Sequence, residues 1–222
     1  MAPHPWKPTP EQIRAAAGKT DAVPDVIALD LDVLFVGINP GLYTAAVGHH
    51  FARPGNRFWP ALHRAGFTAR QLSPFDEREL LKSGYGITNI VRRATTAAGE
   101  VTREEYAEGA RRLIAKIRRY RPRFVAIFGV EAYRRTFSRP DAVVGEQAER
   151  IGSARVWVLP NPSGLNAHYL LGDQVKLLRE FREVVEASRT SAPSRARAPA
   201  EARRPRARER SRAKASQKSE DA

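Results

Sequence analysis

Three short runs of bulky apolar residues constrain this chain most: Val33-Leu34-Phe35-Val36, Phe124-Val125-Ala126-Ile127-Phe128 and Val156-Trp157-Val158-Leu159. Each is uninterrupted by polar residues and far too short for a membrane span. Runs of this length, rich in β-branched and aromatic residues, read as strands covered on both faces, as in a parallel sheet. Helical patterns lie between them, and strands alternating with helices argue for parallel β-α-β units. The expected fold is α/β, a three-layer α/β/α sandwich with a central, mainly parallel sheet.

The pattern predicts a helix over Pro10–Ala17, a strand over Asp32–Asn39, a Gly-rich loop over 40–55 and a helix over Asn56–Ala65 with Gly66 as its C-terminal cap. A helix over Asp76–Lys82 and a strand over Gly86–Val91 follow. Thr102–Tyr120 is the clearest helix. Thr102 and Glu105 match a capping box, and Tyr106, Ala110, Leu113, Ile114 and Ile117 recur at three- and four-residue spacing. Arg121-Pro122 ends it. Strands over Arg123–Phe128 and Arg155–Leu159 and helices over Glu131–Phe137 and Asp173–Ala187 complete the reading, with Val175, Leu178, Phe181 and Val185 facing inward. There is no internal repeat.

The net charge of +14 is unevenly placed. Residues 188–222 carry eleven Arg or Lys and four Asp or Glu, the same net +7 as the 27 basic and 20 acidic residues of 1–187. That tail of Ala, Arg, Pro and Ser has no bulky apolar residue and is expected to be disordered, with an affinity for polyanions. The chain therefore divides into a Pro-rich segment 1–24, a folded domain 25–187 and a basic tail 188–222. Cysteine is absent, so disulfides, thiolate nucleophiles, zinc–thiolate sites and iron–sulfur clusters are excluded. The first residues lack the apolar core of a signal peptide. The default expectation is a cytoplasmic protein that makes no use of a membrane.

Two turns stand where chemistry would sit. Gly37-Ile38-Asn39-Pro40-Gly41 ends the first apolar run, and Asn161-Pro162-Ser163-Gly164-Leu165 follows the third. Carboxyl ends of parallel strands line the ligand crevice, so the two turns are expected to face each other across one site. One offers a neutral polar side chain; the other offers a protruding Leu. Between them, Gly48-His49-His50-Phe51-Ala52-Arg53-Pro54-Gly55-Asn56-Arg57-Phe58-Trp59 supplies an aromatic able to stack on a base. Other motifs fall away. Gly18-Lys19-Thr20 lacks the earlier Gly of a phosphate loop, since Ile13 stands there, and it precedes the first strand. His49 and His50 are adjacent, and His4, His63 and His168 show no ligand spacing, so no metal site is expected. No Gly-x-Gly-x-x-Gly follows a strand, and no cofactor is implied.

The segment Gly37–Trp59, the turn Asn161–Leu165 and Gly84-Tyr85-Gly86-Ile87-Thr88-Asn89-Ile90-Val91 together resemble the mismatch-specific uracil-DNA and thymine-DNA glycosylases, across about residues 30–185. The resemblance implies a uracil-DNA glycosylase-like sandwich that cuts the N-glycosidic bond of a flipped base. Asn39 matches the catalytic Asn that holds the attacking water. Phe51 matches the stacking aromatic, and Ile38, Thr44 and Asn161 belong with it to the base pocket. Leu165 matches the wedge, with Gly164 and Asn166 offering backbone groups to the widowed guanine. Asn166-Ala167 departs from the family's Ser-Arg after the wedge. Asn89 stands where some bacterial relatives have Lys and resembles the thymine-processing branch.

The implied partner is duplex DNA with a mismatched or damaged base, met by a monomer. No Lys stands in either motif to form a Schiff base, so a monofunctional enzyme is expected. Two alternatives stay open: a glycosylase for another lesion, such as ethenocytosine or hypoxanthine, and a catalytically silent mismatch-binding module.

Overall fold

A computed structural model describes residues 7–190. Its elements are α1 (Pro10–Arg14), β1 (Val33–Gly37), α2 (Leu42–Val47), α3 (Phe58–Arg64), a 3-10 segment (Pro74–Ser83), β2 (Tyr85–Asn89), α4 (Arg103–Tyr120), β3 (Phe124–Phe128), α5 (Val130–Phe137), β4 (Gly145–Ile151), β5 (Ala154–Leu159) and α6 (Leu171–Thr190). The five strands form one sheet in the order β2-β1-β3-β5-β4. All neighbours are parallel except the β4–β5 pair.

The apolar runs become strands because every one of their side chains finds a buried face. Val33 and Phe35 of β1, with Phe124, Ala126 and Phe128 of β3, point into a core shared with α3 and α6. Leu34, Val36, Val125 and Ile127 point the other way, into a core shared with α4 and α5. This period-2 division under helices on both faces is the three-layer sandwich that the apolar runs predicted. On the first face Phe35 is the hub, with ring contacts to Phe58, Phe67, Tyr85, Phe128 and Phe181 at 5.5–6.5 Å. Edge-to-face and offset pairs of this kind add to the value of burial itself.

The α4 capping box forms as read: Thr102 Oγ1 accepts from Glu105 N–H, and the Glu105 carboxylate accepts from Thr102 N–H at 2.9 Å. Arg121 ends this helix in a left-handed conformation (φ 49°), one residue before Pro122. The buried face is Tyr106, Gly109, Leu113 and Ile117, so Gly109, rather than Ala110, completes the stripe.

Four other elements depart from the sequence reading. The expected loop 40–55 contains α2, capped by Gly41 and Gly48. The Asp76–Lys82 helix is a 3-10 segment that starts at Pro74. β4, Gly-Glu-Gln-Ala-Glu-Arg-Ile, was not foreseen, because an edge strand with a half-exposed polar face carries no apolar run. The final helix runs to Thr190, three residues beyond the expected boundary. Arg123 donates to Ser188 O, and Arg189 pairs with Asp32 at 2.6 Å. These contacts hold the end of α6 against the amino ends of β1 and β3. The basic residues that follow lie outside the described residues.

Gly109 tests how closely α4 packs. A methyl group there would come within 2.7 Å of Ile90 O and 2.8 Å of Ile90 Cγ2. In an open helix Gly→Ala gains about 1 kcal/mol. Here Gly109→Ala is expected to cost about 1–3 kcal/mol, because α4 must move off the segment after β2. Thermal unfolding checks it: a raised Tm would show that the packing is looser than described.

Candidate active site

The site starts where β1 ends. Gly37 is the last strand residue, and Ile38-Asn39-Pro40 carries the chain to Gly41, the N-cap of α2. This edge lies beside the switch point of the sheet, where β1 leads off towards β2 and β3 towards β5. The Ile38 side chain packs over Gly129 at the end of β3, and its carbonyl accepts from Val91 N–H at 2.9 Å.

The Asn39 amide is held on one side only. Its Nδ2 donates to Thr95 Oγ1 at 2.7 Å, Arg93 O at 3.0 Å and Pro40 O at 3.3 Å. Backbone carbonyls only accept, so the network assigns nitrogen to that side. The carbonyl oxygen Oδ1 faces the other way and accepts no hydrogen bond among the described residues. Thr95 is fixed in turn, donating to Ala97 O at 2.8 Å.

Arg93 carries the support outward to α4. Its guanidinium forks onto Glu105 at 2.6 and 2.9 Å. The Glu105 carboxyl is held down to about 2, first by that hydrogen bond from Arg93. Glu105 is also the capping-box residue, so one carboxylate ties the start of α4 to the segment after β2 that holds the Asn39 amide.

The opposite wall is the 48–51 turn. Phe51 lies in the left-handed region at φ 55°, which costs a non-glycine residue about 1–2 kcal/mol. Its neighbours enforce the conformation. Glu77, itself buried, takes His49 Nδ1 on one oxygen and His50 N–H on the other, each at 2.8 Å. Trp59 Nε1 donates to His50 O at 3.1 Å. Phe51 is thereby laid flat on Phe58, ring centroids 4.1 Å apart and 21° from parallel.

Asn89, the last residue of β2, reaches over the end of β1. A side chain at Gly37 would collide with Asn89 Oδ1 and come within 3.3 Å of Phe51 Cζ. Gly37 is therefore the residue that lets the Asn89 amide and the Phe51 ring meet. His50 sets the way Asn89 faces. His50 Nε2 lies 3.1 Å from Pro24 O and must donate there, which leaves the Nδ1 lone pair toward Asn89 Nδ2 at 3.5 Å. Burial pushes the imidazole below its ordinary value and favours this neutral form.

The second turn, 161–166, follows the carboxyl end of β5 and so lies on the same edge of the sheet as Asn39. Leu165 is 74% exposed, more than any other large hydrophobic residue described. Gly164 sits so close to Gly55 that a Cβ would come within 2.6 Å of Gly55 O. Arg57 joins the two turns: its guanidinium donates to Ser163, Gly164, Asn166 and Tyr169 carbonyls at 2.8–3.2 Å, and its own N–H donates to Pro162 O at 2.8 Å.

The structure thus brings Ile38, Asn39 and Phe51 to one strand edge and sets Gly164, Leu165 and Asn166 on the neighbouring loop. Thr44 is buried on α2, and its side chain takes no part in the hydrogen bonds that hold Asn39 and Asn89. Asn161 has a turn-forming use beside the pocket-lining one expected: its Oδ1 accepts from Ser163 N–H at 3.0 Å, and its carbonyl accepts from Asn166 and Gln174 side chains. Sequence reasoning gave no part in the site to Thr95, Arg93, Glu77 or Arg57, and read Glu105 only as the cap of α4. Most act on partners more than 25 residues away, and spacing carries no signal for that. Arg57 lay inside the quoted motif, and a cation there with no nearby acidic residue was the available hint.

Phe51 lines one cleft and Asn89 another, and Asn39 and Leu165 line neither. One, about 340 Å³, is lined by Phe51–Asn56, Trp59, Gln71–Pro74 and Asp76. The other, about 300 Å³, is lined by residues including Pro40, Asn89, Arg92 and Lys116. Among the described residues no group of three or more His, Asp or Glu could hold a metal ion, and no helix is long and apolar enough to cross a membrane.

A neutral amide, an aromatic ring and a second amide are thus gathered at the carboxyl edge of a parallel sheet. The pattern of the uracil DNA glycosylase superfamily matches residues 24–187, and the chain belongs to that superfamily. The fold is similar to the solution NMR structure of a protein from Methanosarcina acetivorans provisionally assigned as a uracil DNA glycosylase. That match has a TM-score of 0.50 and 16% identity, and it covers 75% of this chain and 98% of the other.

Two expected outcomes test this geometry. Asn39→Asp would set an oxygen against Arg93 O, so the carboxyl should keep its proton and titrate above the ordinary value of about 3.9. A raised folded value leaves stability intact below the ordinary one and removes it as pH rises through the raised one. The Tm deficit of this variant should therefore widen from about pH 4 to about pH 7; a constant deficit would reverse the assignment of Nδ2. His50 has the opposite sign. Its lowered value gives stability that is full above 6.5 and erodes as pH falls below it. The wild-type Tm should drop more between about pH 7 and pH 5 than that of His50→Gln, and equal drops would show that His50 is not held neutral.

Proposed function

We propose that this chain is a monofunctional DNA glycosylase that hydrolyses the N-glycosidic bond of uracil, and more slowly thymine, mispaired with guanine in duplex DNA. The observation that supports the reading is the Asn39 amide at the carboxyl end of β1, fixed through Nδ2 with Oδ1 accepting no hydrogen bond among the described residues. A carbonyl oxygen held this way can orient a water molecule but cannot take its proton at neutral pH.

The chemistry follows from that limit. A carboxylate base typically adds about 10²–10⁴-fold to a rate, and the amide forgoes it. The bond to the base must therefore be largely broken first, leaving an oxocarbenium-like sugar and a departing base anion. Water held on Asn39 then adds to the sugar carbon and releases its proton to solvent, giving an abasic sugar, and the base anion takes up one proton from solvent to become the free base. Hydrogen-bond donors that face the anion supply the main electrostatic help. The result is a slow enzyme that favours good leaving groups.

The Asn89 amide supports a pyrimidine with a protonated N3. Its Oδ1 is an acceptor, matched to the N3–H that uracil and thymine share, whereas cytosine offers a lone pair there. Leu165 supports duplex DNA as the substrate: an exposed apolar tip can fill the gap in the stack that a flipped nucleotide leaves, and a mismatched base costs less to extrude than a paired one.

A single-turnover assay on labelled duplexes with G·U, A·U, G·T and G·C at one position, followed by alkali cleavage, tests the reading. Product is expected from G·U, more slowly from G·T, and not from G·C. Asn39→Ala should cut at least about 10²-fold more slowly while still binding DNA. Leu165→Ala should slow cleavage of duplex more than of single strand. Tight mismatch binding with no cleavage would favour a silent binding module, and activity confined to ethenocytosine or hypoxanthine would move the substrate to another lesion.

A further inference from the structure

We infer that Arg57 is a positioning residue that shapes the 161–170 loop for contact with the strand opposite the extruded base, an inference that rests on the glycosylase reading for its DNA partner. Arg57 sits at the N-cap of α3, anchored by Asn56 Oδ1 on Phe58 N–H at 2.9 Å and by its own carbonyl on Ala61 N–H at 2.9 Å. Its guanidinium enters a turn of the neighbouring loop and meets four main-chain carbonyls. Nη1 donates to Asn166 O at 2.8 Å, Tyr169 O at 3.0 Å and Ser163 O at 3.1 Å, and Nη2 donates to Gly164 O at 3.2 Å. Among the described residues it pairs with no carboxylate. Its charge is met by carbonyl dipoles alone, so the loop lies over an unneutralised cation.

Four carbonyls drawn inward decide where the amides point. Every described peptide bond is trans, and in a trans peptide N–H lies opposite C=O. The peptides whose oxygens face Arg57 after Ser163 and Asn166 therefore turn the N–H groups of Gly164 and Ala167 outward. Neither N–H has an acceptor among the described residues. The two donors flank Leu165, the exposed tip. One side chain thus fixes the height of the tip and presents two hydrogen-bond donors beside it, over a positive charge that favours a phosphate-bearing strand. Lys could supply the charge but not the fork, because an ammonium is a point donor.

The test uses the full chain with Arg57→Lys and Arg57→Ala. Hydrogen exchange in the free protein is the readout independent of activity. Amides of Leu165, Asn166 and His168 should exchange at least about tenfold faster in both variants, while those of β1 and β3 stay as slow as in wild type. Slow β1 and β3 amides also show that the variant has folded. In single-turnover assays, cleavage of uracil in duplex should fall about 10- to 100-fold, the loss expected from one or two charge-assisted hydrogen bonds. Cleavage of the same base in single-stranded DNA should change less than about twofold, because no opposite strand is present. Unchanged loop exchange in Arg57→Ala would overturn the inference, and so would an equal loss on duplex and single strand. If wild type cleaves neither substrate, the glycosylase reading fails, and the exchange measurement still decides whether Arg57 shapes the loop.

Discussion

Everything in this molecule is referred to β1. It is hydrogen-bonded on both edges, to β2 and β3, and buried on both faces. A strand so enclosed cannot slip, because a one-residue shift would exchange the residues of its two cores. Phe35 reinforces this through five aromatic neighbours on one face. The consequence is felt one residue past the strand. Ile38 and Asn39 leave from a fixed point in a fixed direction, and the site is assembled around them.

The candidate site is held by hydrogen bonds rather than by paired charges around the Asn39 amide. The Asn39 amide rests on two carbonyls and a hydroxyl. The ionic part of its support, Arg93 with Glu105, lies one step back. On the other wall, buried Glu77 takes one backbone N–H and one imidazole, and it holds the turn that carries Phe51 without touching the ring. Around Asn39 the fixed dipoles do not need to reorganise when charge changes beside them.

The strands and helices that carry the cores were legible because their patterning is strong. Val33–Val36 and Phe124–Phe128 have no polar interruptions, and Thr102 with Glu105 announces the start of α4. β4 was illegible for the opposite reason: its alternating polar face satisfies an edge position and leaves no apolar signature. α2 was hidden by the glycines that cap it. Within the candidate site, local motifs singled out Asn39, Phe51 and Leu165, which the structure places at the carboxyl edge of the sheet or on the loop beside it. Thr95 and Arg93 were not singled out, since they reach Asn39 from 56 and 54 residues away, and no local rule links them. The role of Arg57 depends on the path of a loop more than 100 residues later.

The closure of α6 has a practical consequence. Arg189 on Asp32, and Arg123 on Ser188, fasten the end of the helix to the amino ends of β1 and β3, whereas Asn39 and Leu165 stand at the carboxyl ends. The last described residue, Thr190, and the edge that carries Asn39 and Leu165 therefore occupy opposite poles of the sheet. A dye attached at position 190 itself would therefore sit behind the sheet and report on the molecule without crowding the edge that carries Asn39 and Leu165.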